Sequence, residues 1–559
     1  MSEATLKATR PTGPSGPLPL VIGAVGHRHL DPRDRPRYCA RIQELFDYLR
    51  KHYPSTPLRM ISALAEGADR LGAEVALAQG YELIVPLPMA QEEYERDFPD
   101  TLGEFRALLA RVPATNVFVL PAPETAPDIT AQDLRDAQYR EVGVWIASNC
   151  HLLLALWDGV RNNAVAGTAE VVRFKLEGQI HSDDRALDAD DCGPVYRIHA
   201  PRAGSGGSAD VPAQWLFPSD ASAELLRTVC SRIDRFNRDA LRVPVPAALV
   251  ADAAGLLPQV QERPAGDRSL ATTFASADTL ARGYQRLTHA VLRLIIGLAL
   301  ALALTFEIYA EIMTRRALPV IYLLIFTALV GLYLWQKRFD AQGRYLDYRA
   351  LAEALRVQFY WRLAGLNDSA AASYLRKQLD ELRWIRDALR GASALPPPAQ
   401  ARPDLVQRHW VHGQAQYYRG RATSLMARIH RVERTSAIFL AVGLLATSSL
   451  VVFWNHFEPS GHTHHWLVLI MGFAPIAAAL WEAYGERFGM RSQAHQYSRF
   501  AAIFDRAETA IARLEASPAA PDRNHSERAL IRELGREALM ENGDWVLLLR
   551  DRPIALPKG

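Results

Sequence analysis

A chain of 559 residues is too long for one hydrophobic core, and its length predicts two to four domains. Its formal net charge of +3 gives no basis for expecting a nucleic-acid partner. The hydrophobic share of 49% is ordinary for a globular protein, so only local apolar runs can reveal membrane segments. Four scattered cysteines without metal-ligand spacing favour free thiols in a reducing compartment and no metal site.

At the N-terminus, Met1–Pro17 lacks an apolar core segment, so no signal peptide is expected. The first half of the chain then alternates short apolar runs with amphipathic stretches, and Pro201–Ala213 is predicted to be a Gly/Ser-rich surface loop. This alternation predicts an α/β Rossmann-like domain over residues 18–245, with helices on both faces of a parallel sheet. The predicted strands are Leu20–Val25, Leu58–Ser62, Glu82–Pro86, Asn116–Leu120, Leu152–Trp157 and Pro194–Arg197, and the predicted helices include Pro36–Lys51, Ala68–Gln79, Ala131–Asn149 and Ala223–Arg235.

Three strand-to-helix joints in this domain carry residue types that suit anion binding. The first strand ends in Gly26-His27-Arg28, where a glycine permits close backbone approach and an arginine can pair with phosphate. The second and fifth strands lead to turns of small residues that precede helices, whose N-terminal amides attract anions. Because the carboxyl ends of parallel strands share one edge of a sheet, we expect a single nucleotide-binding site there. The predicted nucleotide-binding residues are Gly26, His27, Arg28, Ser62, Glu66, Gly67, Asp69, Asp158, Gly159, Gly167, Thr168 and Glu170.

Each joint taken alone also has a purely structural interpretation. Gly26 can be a turn glycine, Asp69 can simply complement the dipole of the following helix, and Glu170 can cap a helix. It is the occurrence of three such joints in one domain that favours ligand binding.

Beyond about Val250 the sequence is almost entirely helical and contains four apolar runs. They form two pairs, Ala290–Tyr309 with Ala317–Trp335 and Ser436–Trp454 with Trp466–Trp481. The second pair repeats the first at an offset of 149 residues, as from Ala317 to Trp466. Each run approaches the roughly 20 residues needed to cross a ~30 Å hydrocarbon layer. The pattern predicts an all-α membrane region with four transmembrane helices in two repeated hairpins, against the alternative of buried core helices.

The predicted membrane modules cover residues 268–394 and 404–515, followed by a C-terminal cytoplasmic segment over 526–559. Arginines crowd the flanks of the hairpins, whereas the turn Asn455–His465 has no Lys or Arg. The positive-inside rule therefore predicts a multi-pass protein of the inner (plasma) membrane with both termini in the cytoplasm. Thr447-Ser448-Ser449 is the polar cluster of the third span; it can line a pore or bond back to its own helix.

The sensor motifs resemble the SLOG superfamily of Rossmann-like domains over about Leu18–Arg202. The similar segments are Ile22–Arg28, Ala65–Asp69, Trp157-Asp158-Gly159 and Gly167-Thr168-x-Glu170. The resemblance implies a nucleotide-derived ligand, ADP-ribose-like or a cyclic nucleotide, with no further cofactor. The last segment is similar to the Pro-Gly-Gly-x-Gly-Thr-x-x-Glu signature of the phosphoribohydrolases in this group. Here the Pro-Gly-Gly is missing and the glutamate lies one place closer, so binding is implied more strongly than catalysis.

The membrane half resembles the SLATT family of two-span modules, on its spans and on the helix Tyr348–Arg362 that follows the first hairpin. Together the resemblances imply a nucleotide sensor coupled to a membrane effector, a ligand-gated pore of a bacterial conflict or antiphage defence system. Such a pore would be a homo-oligomer in the lipid bilayer. Two alternatives stay open: a membrane-anchored nucleotide N-glycosidase with Glu170 or Glu66 as base, and a non-enzymatic scaffold that tethers a partner.

Overall fold

The computed structural model combines an N-terminal α/β sheet with a helical C-terminal region, which confirms the predicted fold class. Most of the N-terminal stretch and of the Gly/Ser-rich loop, and the last nine residues, lie outside the described residues. The structure describes residues 16–122, 131–160, 167–178, 192–202, 211–219, 221–243, 256–257, 263–374, 382–396, 400–457, 461–487, 489–516 and 523–550.

Seven strands form the sheet, in the order β4-β3-β2-β1-β5-β6-β7. Strands β1 to β6 are parallel, and the edge strand β7 is antiparallel to β6. All six predicted strands are present; β7 was not expected from the sequence. The strands are β1 (Leu20–Gly26), β2 (Leu58–Ile61), β3 (Glu82–Leu87), β4 (Val117–Val119), β5 (Leu152–Trp157), β6 (Val195–His199) and β7 (Gln214–Leu216).

Both faces of the sheet are covered, which explains why its central strands read as continuous apolar runs. Successive side chains of a strand point to opposite faces, so Ile22 and Leu154 lie in one core cluster. Val21 and Leu153 lie in the cluster on the other face. The helices of this region are α1 (Arg35–His52), α2 (Ala68–Ala78), α3 (Gln91–Tyr94), α4 (Leu102–Leu109), α5 (Ala131–Asn149), α6 (Thr168–Glu177) and α7 (Ala223–Arg242).

The strand order places a topological switch point between β1 and β5. From β1 the chain continues through β2, β3 and β4 on one side, and then returns to the other side of β1 for β5 and β6. The register pairs Gly26 with Leu156, so the carboxyl ends of these two strands lie side by side. In open α/β sheets ligands bind in the crevice at such a point.

Beyond α7, most of the residues that the structure describes are helical. The helices are α8 (Ala265–Glu307), α9 (Ala317–Phe339), α10 (Ala341–Leu363), α11 (Ala370–Ser373), α12 (Arg383–Ser393), α13 (Pro403–Leu405), α14 (Gly413–Val452), α15 (His462–Arg487), α16 (Met490–Ala516) and α17 (Arg523–Arg550). Short π-helical turns, Ile308–Ile312 and Val406–His412, follow α8 and precede α14.

The structure divides into two compact units that alternate along the sequence. The first consists of Met1–Leu280, Ala350–Pro403 and Ile531–Gly543, and the second of Ala281–Arg349, Asp404–Leu530 and Asp544–Gly559. The sheet unit thus includes more of the chain than residues 18–245. The domain ranges 18–245, 268–394, 404–515 and 526–559 stay predictions.

Helix α12 lies at the amino ends of the strands, within the sheet unit. The backbone N–H of Val21 donates to Nδ1 of His151 over 2.9 Å, and Nε2 of His151 lies 2.8 Å from the carbonyl oxygen of Asp387 in α12. Burial lowers the pKa of His151 to about 4. The ring is therefore neutral at physiological pH and joins the sheet to a helix that follows the first hairpin in sequence.

In the second unit, four helices are long and apolar enough to cross a membrane, and they form two hairpins. In the first hairpin Val291 and Ile295 pack with Leu329. In the second, a β-carbon added to Gly443 would lie 3.3 Å from Cβ of Ala474, so α14 and α15 approach closely there. The four candidate spans fit a multi-pass membrane protein, as predicted.

Candidate functional site

A cleft of about 460 Å³ opens at the switch point, at the carboxyl ends of β1 and β5. Its volume lies within the roughly 300–1,000 Å³ typical of small-molecule sites. Of the twelve residues predicted to bind a nucleotide, six line this cleft: Gly26, His27, Arg28, Asp69, Gly167 and Thr168. The other six, Ser62, Glu66, Gly67, Asp158, Gly159 and Glu170, are not among its lining residues.

His27 and Asp158 connect the loops that follow the two central strands. Nε2 of His27 lies 3.3 Å from Oδ2 of Asp158 and also 3.3 Å from the backbone nitrogen of Asp158. Burial lowers the pKa of His27, and the nearby Asp158 carboxylate partly opposes this shift. Asp158 also accepts from the backbone N–H of Val160 over 2.9 Å, so its carboxylate shapes the loop that begins at Gly159.

Two glycines let the turn before α2 close onto the loop after β1. A β-carbon on Gly26 would lie 2.6 Å from the carbonyl oxygen of Leu156. Gly67 has φ +84°, and a β-carbon there would overlap the carbonyl oxygen of Arg28. The neighbouring N–H of Ala68 donates to the carbonyl of His27 over 3.1 Å. These glycines are needed for chain packing beneath the cleft.

Ser62 is fully buried and holds the same turn in shape. Its hydroxyl donates to the carbonyl of Asp69 over 3.0 Å and accepts from the backbone N–H of Leu64 over 3.1 Å. Leu64 has φ +56°, an uncommon conformation for a residue other than glycine. Glu66 is partly exposed in this turn, outside the cleft.

Asp69 is a buried carboxyl group in the wall of the cleft, in the first turn of α2. Burial raises its pKa to about 7, although the positive charges of Arg28 and Arg70 favour ionisation. A carboxyl group with this pKa changes charge near neutral pH.

Arg28 provides positive charge at an exposed position in the cleft. Its guanidinium group lies over the ring of Tyr139, 5.2 Å from the ring centroid. Arg202, three residues after the end of β6, also lines the cleft, and its Nε lies 3.9 Å from Oδ2 of Asp158. Sequence reasoning missed both partners. Tyr139 lies within an amphipathic helix, where an aromatic residue usually indicates core packing. Arg202 follows a strand closely, and this position could have indicated that it lines the cleft.

The start of α6 forms the wall of the cleft next to β5. Gly167 is the N-cap, with extended backbone angles of φ −88° and ψ 163°. Gly167 and Thr168 both line the cleft, and the first amides of a helix have no partner within it. A helix N-terminus of this kind attracts anions such as phosphate.

Glu170 is directed to Arg140 of α5 and to Arg173 of its own helix. Its Oε1 accepts from Nε of Arg140 over 3.0 Å and lies 3.9 Å from Arg173. Its side chain is only 12% exposed. This ion pairing gives the carboxylate a structural partner.

In the second unit, the polar cluster Thr447-Ser448-Ser449 lies partly on the exposed surface of α14. The hydroxyl of Thr447 donates to the carbonyl of Gly443 over 2.9 Å. Of the two alternatives left open by the sequence, Thr447 therefore shows the bond back to its own helix. Gly443 and Ala446 are buried, whereas Ser448, about half a turn from Ala446, is exposed and Ser449 is half-buried. Only Ser448 therefore faces fully away from the hairpin partner.

Among the described residues, no group of three or more His, Cys, Asp or Glu side chains could hold a metal ion. In comparisons with protein-family models, curated proteins and solved structures, none matches this chain.

The cleft combines a helix N-terminus, two arginines and a carboxyl group with a raised pKa, and this combination suits a ligand that carries phosphate.

Proposed function

We propose that this protein is a membrane-bound sensor of a nucleotide derivative, ADP-ribose-like or a cyclic nucleotide, that controls a membrane effector. The observation that carries the proposal is the cleft at the β1–β5 switch point, where the N-terminus of α6 and the guanidinium group of Arg28 line one cavity. Amides at a helix N-terminus and an arginine fork are complementary to a phosphate or diphosphate.

The aromatic and apolar part of the cleft supports a ligand larger than phosphate. Tyr94, Tyr139 and Trp157 line it together with Val25 and Ile146. Apolar walls with a few convergent polar groups are typical of sites for small organic molecules. A nucleotide derivative offers both a base for these walls and phosphates for the cationic end, as the resemblance to SLOG domains implies.

Sensing is favoured over hydrolysis by the surroundings of the two candidate bases. Glu170 is paired with Arg140 and lies outside the cleft lining, as does Glu66. A general base must come within hydrogen-bond reach of the proton that it removes. The N-glycosidase hypothesis therefore lacks a carboxylate at the cleft surface, apart from the buried Asp69.

The effector is proposed to be a ligand-gated pore formed by several subunits, of the kind found in bacterial conflict or antiphage systems. Large apolar side chains remain exposed on the candidate spans, such as Leu324 at 64% and Leu444 at 68%. Exposed surfaces of this kind suit contact with lipid or with another subunit. Four mainly apolar helices offer few polar faces, so a water-filled path needs more than one chain.

A ligand screen on the full-length protein tests the proposal. Thermal unfolding of the detergent-purified chain is measured with ADP-ribose, cyclic nucleotides and mononucleotides, because a ligand that binds the folded state alone raises the unfolding temperature. We expect one of these classes of nucleotide to raise the unfolding temperature of the wild type and not that of Gly167→Asp. Stabilisation by no nucleotide, or equal stabilisation of both proteins, would contradict the proposal.

A further inference from the structure

Four exposed arginines of the second unit lie where the first and third candidate spans begin. Arg286 and Arg293 lie on one face of α8, two helical turns apart, and Arg293 is just inside the first apolar run. Arg428 and Arg431 lie on α14, ahead of the third apolar run that starts at Ser436. These four arginines form the basic patch. It shares no residue with the cleft at the switch point, so its ligand does not depend on what the cleft binds.

Both hairpins contribute to the basic patch. The guanidinium groups of Arg293 and Arg428 both lie close enough to His289 to act electrostatically on its ring. Their sequence neighbours Leu292 and Ile429 line one cavity, so α8 and α14 lie side by side at this level. Two positive charges from separate helices therefore share one region, and they repel each other unless an anion lies close to both.

The protein itself supplies no such anion among the residues that the structure describes. None of the four arginines has a described carboxylate within ion-pair distance. Glu433, two residues beyond Arg431, has other partners: its Oε1 lies 2.7 Å from Nη2 of Arg491, and its Oε2 lies 3.3 Å from Nδ1 of His430. Three members of the patch donate Nε to a carbonyl oxygen one turn earlier in their own helix, over 3.2–3.4 Å, namely Arg286, Arg293 and Arg431.

An exposed apolar surface continues from the basic patch towards the centre of the third span. Ile438 and Val442 follow Arg431 on the same face of α14, seven and eleven positions later, and their side chains are 56% and 43% exposed. A ligand of the patch therefore has positive charge beside one end and an apolar helix face beside the other. Anionic phospholipids of the surrounding bilayer have this combination, because their phosphate lies at the boundary of the hydrocarbon layer and their acyl chains within it.

We propose that the basic patch binds an anionic glycerophospholipid of the phosphatidylglycerol type in the cytoplasmic leaflet. Its phosphate accepts hydrogen bonds from Arg293 and Arg428, whose planar guanidinium groups suit phosphate, and it offsets their mutual repulsion. Its acyl chains lie along Ile438 and Val442. A headgroup with an ammonium group, as in phosphatidylethanolamine, is disfavoured because the patch has no described carboxylate to pair with it. The bound lipid links the two repeats of the membrane unit.

Native mass spectrometry of the full-length protein from detergent micelles tests this. Phosphatidylglycerol and phosphatidylethanolamine with identical acyl chains are added in equal amounts, and the lipids retained by each chain are counted. We expect the wild type to retain phosphatidylglycerol in preference. A second sample contains an excess of inorganic phosphate, which should not displace the lipid, because it has no acyl chains. Equal retention of the two lipids, preference for phosphatidylethanolamine, or displacement by phosphate would overturn the proposal.

Substitutions locate the site. Arg293→Gln with Arg428→Gln should lower the ratio of phosphatidylglycerol to phosphatidylethanolamine about fivefold for each arginine, the equivalent of about 1 kcal/mol per cationic side chain at a membrane surface. Arg293→Lys with Arg428→Lys keeps both charges and should keep most of the preference. The matched control is Arg506→Gln with Arg513→Gln, which removes two exposed arginines of α16 beyond the fourth span and should leave the ratio unchanged.

Two further outcomes are decisive. If the double glutamine variant fails to fold, Arg428→Gln alone decides, and an unchanged ratio in that protein overturns the proposal. If a variant of the patch instead lowers the oligomeric mass and leaves the ratio unchanged, a second copy of the chain covers the arginines, and the lipid proposal is wrong.

Discussion

His27 and Asp158, 131 positions apart in sequence, lie 3.3 Å apart at the carboxyl ends of β1 and β5. The contact joins two loops at the point where the strand order reverses, and it borders the cleft that we propose binds a nucleotide. Like these two residues, several of the predicted site residues hold the loops around the cleft in place. Substitutions can separate residues that bind the ligand from residues that shape the site.

Gly167→Asp should abolish nucleotide binding and leave the fold intact. The extended backbone of Gly167 suits aspartate, which is a favoured N-cap, so stability should change by no more than a few tenths of a kcal/mol. The new carboxylate would repel phosphate at the helix N-terminus. Titration calorimetry should show no measurable binding at nucleotide concentrations that saturate the wild type. The matched control is Gly167→Asn, of nearly equal shape and without charge, which should bind within severalfold of the wild type; equal weakening in both variants would contradict an electrostatic role.

Asp69 should make both stability and binding depend on pH near neutrality. Its pKa rises in the folded state to about 7 from the ordinary value of 3.8, so folding favours the protonated form. The stability that this group contributes is full below about pH 4 and is lost as the pH rises through about 7. The unfolding temperature of the wild type, relative to Asp69→Asn, should therefore fall between pH 5 and pH 8.

The same ionisation should weaken the binding of ADP-ribose severalfold from pH 6 to pH 8, because the diphosphate keeps its charge while Asp69 gains one. Asp69→Asn should remove this dependence. A wild type and a variant with parallel pH profiles would show that Asp69 does not titrate in this range.

Glu170→Gln should distinguish a sensor from an enzyme. A general base typically contributes about 10²–10⁴-fold to rate, and its loss would reduce turnover accordingly. Because Glu170 accepts from Arg140 outside the cleft, we expect no turnover in the wild type and only a modest change of affinity in the variant. Chromatography of nucleotide incubated with each protein measures this. Hydrolysis by the wild type that disappears in Glu170→Gln would favour the N-glycosidase alternative.

The turn between the third and fourth spans should lie outside the cell. A cysteine in place of Gly461 should react with a membrane-impermeant thiol reagent in intact cells, because this turn has no Lys or Arg in the sequence. Gly420→Cys is a suitable inside control, since Gly420 is exposed on α14 and its β-carbon would meet no atom within 4 Å. Gly391 is unsuitable, because a β-carbon there would lie 2.7 Å from the ring of His151. Labelling at position 420 with protection at 461 would reverse the topology.

Ser448→Leu should block ligand-triggered leakage while preserving binding and assembly. Ser448 is the exposed hydroxyl of its cluster, so it is the member available to line a pore between subunits. Ser448→Thr keeps the hydroxyl and should leave leakage nearly unchanged. Dye release from proteoliposomes measures both, and undiminished release in Ser448→Leu would place the water path elsewhere.

The sequence predicted the parts of the fold that rest on local pattern. Leu152–Trp157 is apolar throughout because both faces of β5 are covered. The four candidate spans were predictable because each is an apolar helix long enough to cross a bilayer. Strand β7 escaped prediction because three residues next to a Gly/Ser-rich loop carry no periodic signal.

Long-range partners were the other part that local pattern could not supply. Nothing in the sequence of α12 indicates that its Asp387 carbonyl meets His151 across 236 positions. In the cleft, the joints at Gly26–Arg28 and Gly167-Thr168 were predicted as neighbours and do line one cavity. The contacts of Gly67 with Arg28 and of Glu170 with Arg140 depend on the tertiary structure, and they give these residues packing and pairing roles.

The most direct test of a nucleotide-controlled membrane effector is ion or dye flux from liposomes that contain the full-length protein. The nucleotide that stabilises the wild type in the thermal screen is added at saturating concentration. Opening from 1:99 to 99:1 requires about 5.5 kcal/mol of preference for the open state, which several subunits can share. We predict rapid release with the wild type and none with Gly167→Asp. A wild type that binds the nucleotide and releases nothing, or equal release with and without the nucleotide, would contradict the account.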